Sequence, residues 1–300
     1  MTMGYKTTVV IASKSGRLGN RLFQSAHFMG NALTKGYRLL NPSLGEYAQL
    51  FEGSAGDPMC GFPYPWKQVE PEFAEQCREM LYQSTHLIGL AVSRFPIPRV
   101  SSIDIRHLDE SENEGFEMGE KAFGKLLETS NILFPMGWKF SDHDGIRRHR
   151  EEIIRYLRPI QSVRKSAESV VSKARESGHQ VIGVHIRQED YRFWKGGVHY
   201  YETSQYVRWM RRCEEFSPRV KPVFVVCASN DLNPLEFCGI NVVKGPGSPL
   251  GDLHALSLCD QIMGPPSTFS MWASYYGNVP LLPLLNKNQE IDSEGFVLHY

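Results

Sequence analysis

Between residues 181 and 285, short apolar runs alternate with amphipathic segments, and this alternation limits the fold more than any other feature of the chain. The apolar runs fall at residues 181–186, 222–228, 240–244, 261–263 and 279–285. They are short and rich in Val, Ile and Leu, the pattern of strands covered on both faces. Helical segments are expected between them, at residues 199–216, 233–238, 252–259 and 268–276. Such alternation builds βαβ units with right-handed crossovers, hence a parallel sheet. The carboxyl ends of its strands share one edge, where open α/β sheets bind ligands.

The amino-terminal part opens in the same way. Residues 7–12 read as a buried strand, Gly16-Arg17-Leu18-Gly19-Asn20 as a turn, and residues 21–35 as a helix stopped by Gly36. Residues 37–40 read as a second strand. Residues 41–140 keep no steady period, apart from a helix expected at 70–88 with Gly89 as its stop, and an irregular domain is expected there. The acidic stretch 111–120 reads as solvated. A charged helix at 144–157, halted by Pro159, and an amphipathic one at 163–178 bracket a boundary near residue 158. The expectation is two α/β domains, residues 1–158 and 159–300.

Lys plus Arg equals Asp plus Glu, at 33 each, so no global basic field points to nucleic acid. The six cysteines form no C-x-x-C pair, and neither a zinc site nor a disulfide scaffold is indicated. No apolar run approaches the roughly 20 residues that span a bilayer. The first strand is too short for a signal-peptide core. A cytoplasmic location follows as an expectation, with peripheral membrane contact left open.

Four segments carry chemistry. His185-Ile186-Arg187-Gln188-Glu189-Asp190-Tyr191 ends the first strand of the regular half. His185 and Arg187 share a face of the extended chain, and a guanidinium at a strand end suits a phosphate. The plainer reading is an Arg–Asp or Arg–Glu pair that closes the strand. Gly264-Pro265-Pro266-Ser267-Thr268-Phe269-Ser270 leads into a helix capped by Ser267 or Thr268, either a phosphate site or a simple cap, with Trp272 in the core. Gly16 to Asn20 permits close approach to a ligand, but is neither G-x-G-x-x-G nor a Walker A sequence. Asp252, after a glycine- and proline-rich loop, reads either as an acceptor for a base or ribose or as a helix cap, and Asp231 offers the same choice. Asp142-His143-Asp144, the one D-x-D spacing, adjoins a helix start and reads as a cap.

Taken together, Gly16 to Asn20 with Phe23-Gln24, His185-x-Arg187-x-x-Asp190-Tyr191, Asp252 to Cys259 and Ser267 to Ser270 resemble the α-1,2-fucosyltransferases of glycosyltransferase family 11. Protein O-fucosyltransferases and α-1,6-fucosyltransferases are more distant relatives. The resemblance implies a GT-B fold, two Rossmann-like domains facing across a cleft. The carboxyl-terminal one would bind the nucleotide sugar and the amino-terminal one would stand on the acceptor side. It implies GDP-fucose as donor, a glycan hydroxyl as acceptor, whether free or membrane-linked, inversion, and neither metal nor cofactor. It assigns Arg187 to the β-phosphate, His185 to the nucleotide, and Ser267, Thr268 and Phe269 to the phosphates and nucleoside. Gly19 and Asn20 would face the donor sugar, and Asp231 and Asp252 would read the nucleotide. Asp190 and Glu189 are the candidates for a general base. Gln188-Glu189 replaces the family's basic residue and glycine, and Met271-Trp272 replaces a pair of aromatics. A nucleotide-sugar-binding relative without transfer, and a transferase for another sugar nucleotide, are the alternatives.

Overall fold

Short apolar strands followed by helices set the plan of both halves of the chain. The computed structural model describes residues 5–108, 115–177, 180–216 and 221–298. It divides into two units, Met1–Ile160 and Gln161–Tyr300.

In the first unit, β1 (Thr8–Val10) leads to α1 (Leu18–Lys35) and β2 (Arg38–Leu40). The helix begins three residues earlier than expected, so Gly19 and Asn20 lie in its first turn and are not part of the bend. Gly16 alone makes the bend, at φ 59. At the other end Gly36 takes the left-handed conformation, φ 74 and ψ 50, and its N–H reaches the Ala32 carbonyl.

The expected irregular stretch supplies half of this unit's sheet. A kinked 3₁₀ segment, Pro42–Leu50, precedes α2 (Pro71–Arg94) and β3 (Val100–Asp104). Then come β4 (Phe116–Glu117), α3 (Lys121–Thr129), β5 (Ile132–Met136) and β6 (Phe140–Ser141). The parallel sheet runs β2-β1-β5-β3, with Val100 opposite Ile132 and Asp104 opposite Met136; β4 and β6 form a separate pair. Gly89 does not stop α2. It is buried inside the helix, where a Cβ would lie 2.9 Å from Met136 Sδ, so the glycine allows the helix to sit close against the sheet. The charged helix expected at 144–157 is broken at His149 (φ −109, ψ 26) into α4 (His143–Arg148) and α5 (Arg150–Tyr156). Asp142 caps α4, its Oδ1 accepting from the Gly145 N–H at 2.7 Å. Of the acidic stretch 111–120, residues 111–114 lie outside the described residues, and Phe116–Glu117 form β4.

The second unit starts with α6 (Gln161–Ser177) and β7 (Val181–Ile186). It continues with α7 (Thr203–Phe216), β8 (Val223–Ala228), β9 (Val242–Lys244) and α8 (Pro249–Ser257), then β10 (Gln261–Gly264), α9 (Thr268–Gly277) and β11 (Leu281–Pro283). The segment 233–238 is only a 3₁₀ turn, Pro234–Phe237. All neighbours in the sheet are parallel, in the order β11-β10-β7-β8-β9. The chain winds outward from β7 in both directions, so the topological switch point lies between β7 and β10. Ile182, Val184, Phe224, Val226, Met263 and Trp209 pack into one core around these strands. α8 and α9 approach closely: a Cβ on Gly277 would lie 2.1 Å from the Ser257 carbonyl oxygen. Among the described residues no helix is long and apolar enough to cross a membrane.

Candidate functional site

β7 is buried along its whole length and delivers Arg187 to the carboxyl edge of the sheet. The guanidinium does not float free there. Its Nε and Nη2 donate to the two carboxylate oxygens of Asp190, at 3.0 and 2.6 Å, and its plane lies 4.6 Å from the centre of the Tyr191 ring. Burial works against the charge, but the hydrogen bonds to Asp190 and the nearby Tyr191, Asp190 and Glu189 hold the Arg187 pKa above its usual value. Tyr191 is fixed in turn, its hydroxyl donating to the Pro266 carbonyl at 3.0 Å and its ring stacked 4.9 Å from Trp194. This is the Arg–Asp pair of the plainer reading. It is also a guanidinium held in one orientation at the edge where ligands bind, and the two descriptions are compatible.

Across the switch point stands the start of α9. Ser267 is its N-cap, the hydroxyl accepting from the Ser270 N–H at 3.2 Å. Thr268 and Phe269 form the first turn, and the positive end of the helix dipole lies at this edge. His185 joins the two sides. Its Nδ1 is 2.7 Å from Ser270 Oγ, and its ring lies 4.8 Å from that of Phe269, tilted by 31°. Burial, and then the charge of Arg187, push the His185 pKa down to about 3, so the imidazole is neutral at ordinary pH. Gly264 makes this junction possible, since a Cβ there would lie 2.9 Å from His185 Cβ. Trp272 is in the core.

On the other side of β7, a cavity of about 700 Å³ opens at the ends of β8 and β9. Glu189, Ser229, Asn230, Asp231, Lys244 and Asp252 contribute its polar lining. Asp252 is not a helix cap: Ser248 caps α8 by accepting from the Gly251 N–H, and Asp252 lies within the helix. Its Oδ1 accepts from the Gly247 N–H at 2.7 Å. Burial raises its pKa to about 6, against the Gly247 hydrogen bond and the Lys244 charge. Asp231 is exposed and lies 3.4 Å from Lys244. Gln188 is a structural tie. Its Nε2 donates to the Tyr201 carbonyl at 3.0 Å, and its Oε1 accepts from Asn230 Nδ2 at 3.0 Å.

The first unit carries the remaining pair. Gly19 is buried in the first turn of α1, and Asn20 follows it. Asn20 folds back over the bend, its Nδ2 only 2.2 Å from where a Cβ on Gly16 would stand. Sequence reasoning missed Ser270, Ser229, Asn230 and Lys244. Only Ser270 had a local signal, three residues after the cap, where a side chain returns to the helix start.

The model of glycosyl transferase family 11 matches residues 128–294, more than half of the chain. Galactoside alpha-(1,2)-fucosyltransferase 2 of Mus musculus is 28% identical over 172 residues, covering 51% of this chain and 46% of that one. The Sus scrofa protein of the same name is 29% identical over 173 residues, covering 51% and 47%. The matched part thus spans about half the length of these curated relatives. Among solved structures, a mutant of Arabidopsis thaliana FUT1 in complex with GDP has a TM-score of 0.56 at 16% identity, covering 95% of this chain and 73% of that one. POFUT1 in complex with GDP-fucose has a TM-score of 0.54 at 13% identity, covering 93% and 96%. Fucosyltransferase NodZ from Bradyrhizobium has 0.55 at 18% identity, covering 93% and 96%. These likenesses are of fold: the α/β architecture of two Rossmann-like domains, GT-B type.

Proposed function

Because the chain belongs to glycosyl transferase family 11, we propose that it moves fucose from GDP-fucose to a hydroxyl of a glycan acceptor, forming an α-1,2 linkage with inversion and without a metal. The observation that carries this reading is the junction at the switch point. There His185 holds Ser270 at 2.7 Å, beside Arg187, at the start of α9. A diphosphate placed at this edge meets the guanidinium on one side, and the backbone N–H groups of Ser267, Thr268 and Phe269 with the hydroxyls of Ser267 and Thr268 on the other.

In the reaction the C1–O bond of the donor weakens toward an oxocarbenium-like state, and negative charge grows on the β-phosphate. Arg187 and the α9 amino end stabilise that charge. They are fixed before the reaction begins, so little reorganisation is required. Asp190 acts through Arg187, its two oxygens setting the plane of the guanidinium. Neutral His185 lines the nucleotide without adding charge. Asp252 and Asp231, on the cavity beside β8 and β9, accept hydrogen bonds from the base or ribose. Glu189, on the rim of the same cavity, is the candidate to take the acceptor's proton.

The second unit is then the donor unit, and the first, which carries Gly19 and Asn20, the acceptor-side unit. We place the protein in the cytoplasm, with contact to a membrane surface where the acceptor is lipid-linked. Competition among GDP-fucose, GDP-mannose and a UDP-sugar for the protein tests the donor. GDP-fucose should bind more tightly than the other two, and equal binding of the UDP-sugar would remove the base-reading role of the cavity.

A further inference from the structure

Helix α2 has two faces of different character. Ala74, Arg78, Tyr82, Gly89 and Val92 face inward and are buried. On another face Phe73, Met80 and Leu87 recur every seven residues and are 55%, 64% and 63% exposed. Cys77, Ser84 and Ala91 fall between them in steps of three and four. Extended one step in each direction, the same seam begins at Glu70 and ends at Arg94. Such a seam is the pattern of a helix that packs lengthwise on another helix. Monomeric proteins rarely leave one uncovered.

We propose that α2 pairs antiparallel with α2 of a second copy of this chain, about a twofold axis at the level of Tyr82. The argument is self-complementarity. With the axis there, Phe73 meets Ala91 of the other copy, Leu87 meets Cys77, and Met80 meets Ser84. Every layer sets a large side chain against a small one, as interdigitated packing requires. The end layers set Glu70 against Arg94, once at each end of the pair. Neither residue has an ion-pair partner among the described residues, and both are exposed. Ile88 (49% exposed) flanks the seam and widens the apolar contact. Over 24 residues the contact runs for about 36 Å. A membrane surface fits less well. Glu70, Glu72, Glu75 and Glu79 surround the amino half of the helix, whereas interfacial helices carry Lys and Arg there.

The test is sedimentation equilibrium on the full chain, with circular dichroism and GDP binding as controls for folding. The wild-type chain should be a dimer. Leu87→Glu should weaken the dimer on the order of 100-fold, because symmetry counts the change twice at a packed position. Glu70→Arg and Arg94→Glu should each weaken it, and the double exchange should restore it. Met80→Cys with Ser84→Cys should cross-link two chains on oxidation, and neither single change should. A wild-type monomer at about 100 μM, well above the micromolar constants of weak specific pairs, would overturn the proposal. So would a dimer indifferent to Leu87→Glu, or failure of the charge exchange to rescue. A monomer that binds lipid vesicles through Leu87 would assign the face to a membrane and overturn it as well.

Discussion

His185 and Ser270 stand 85 residues apart in sequence, and their side chains meet at 2.7 Å across the switch point of the second sheet. The contact ties the strand that presents Arg187 to the helix start proposed to face the same diphosphate. Ser270 is fully buried and also bonds the cap, Ser267. Ser270→Ala therefore leaves a buried imidazole nitrogen without its partner, which typically costs about 1–3 kcal/mol. Thermal unfolding should report the loss, and GDP affinity should fall with it. An unchanged melting temperature together with unchanged GDP affinity would show that the junction holds nothing in place.

Arg187 and Asp190 separate binding from orientation. Arg187→Lys keeps a charge but loses the planar fork, and should weaken GDP binding roughly 10–100-fold by calorimetry. Asp190→Asn should leave GDP affinity within a few fold. It should lower kcat about tenfold, because the guanidinium loses its brace where charge develops. If Asp190→Asn instead removes the acidic limb of the kcat profile, Asp190 is a proton acceptor and the bracing role is wrong.

Two buried histidines set the response to acid. The pKa of His185 is held down to about 3 and that of His27 to about 4, in both cases first by burial. Unfolded histidines take up a proton near 6.5. Below that value the unfolded chain binds more protons than the folded one, so stability falls as pH drops, and above it these groups add no slope. By pH 5 the loss is about 2 kcal/mol for each histidine. Asp252, its pKa raised to about 6, works in the opposite sense and returns part of the loss as it takes up a proton in the folded chain. Urea unfolding at pH 7 and pH 5 should show the net loss, and His185→Asn should lower it by about 2 kcal/mol. A flat profile across this interval would contradict the burial of both rings.

Much of the second unit was legible because its signals are local. The strand runs, the His185-x-Arg187 spacing and the Ser267 cap are each set by a few neighbouring residues. The first unit hid more, since its decisive contacts are distant. Gly89 read as a helix stop because its reason for being glycine, the sulfur of Met136, lies 47 residues further along. Asp252 read as either a ligand acceptor or a cap because Ser248, the true cap, stood in a loop rich in glycine and proline. Gly19 read as part of the bend because two glycines three apart look alike in sequence, and only Gly16 has positive φ. Gln188 looked like a defect in the motif, and its ties to Tyr201 and Asn230 were beyond the reach of a linear reading.

Asp252 gives donor binding a pH dependence of its own. Burial first, offset by the Gly247 hydrogen bond and Lys244, raises its pKa to about 6. The ionised form is the better acceptor for a base or ribose donor. GDP-fucose affinity should therefore climb as pH rises through 6 and level off above it. GDP-fucose is the right probe, since its diphosphate is a diester without an ionisation in this range. Asp252→Asn should bind more weakly above pH 6 and show no inflection there. A wild-type profile without an inflection would take Asp252 out of the nucleotide site.

Fucosyl transfer is read from product formation. The protein is incubated with GDP-fucose and a panel of β-galactosides, released GDP is followed, and the product linkage is read by NMR. An α-1,2-fucosylated galactoside should form in step with GDP, and Arg187→Ala should lose both. Tight GDP-fucose binding with no turnover on any acceptor would contradict fucosyl transfer and leave a nucleotide-sugar-binding protein in its place.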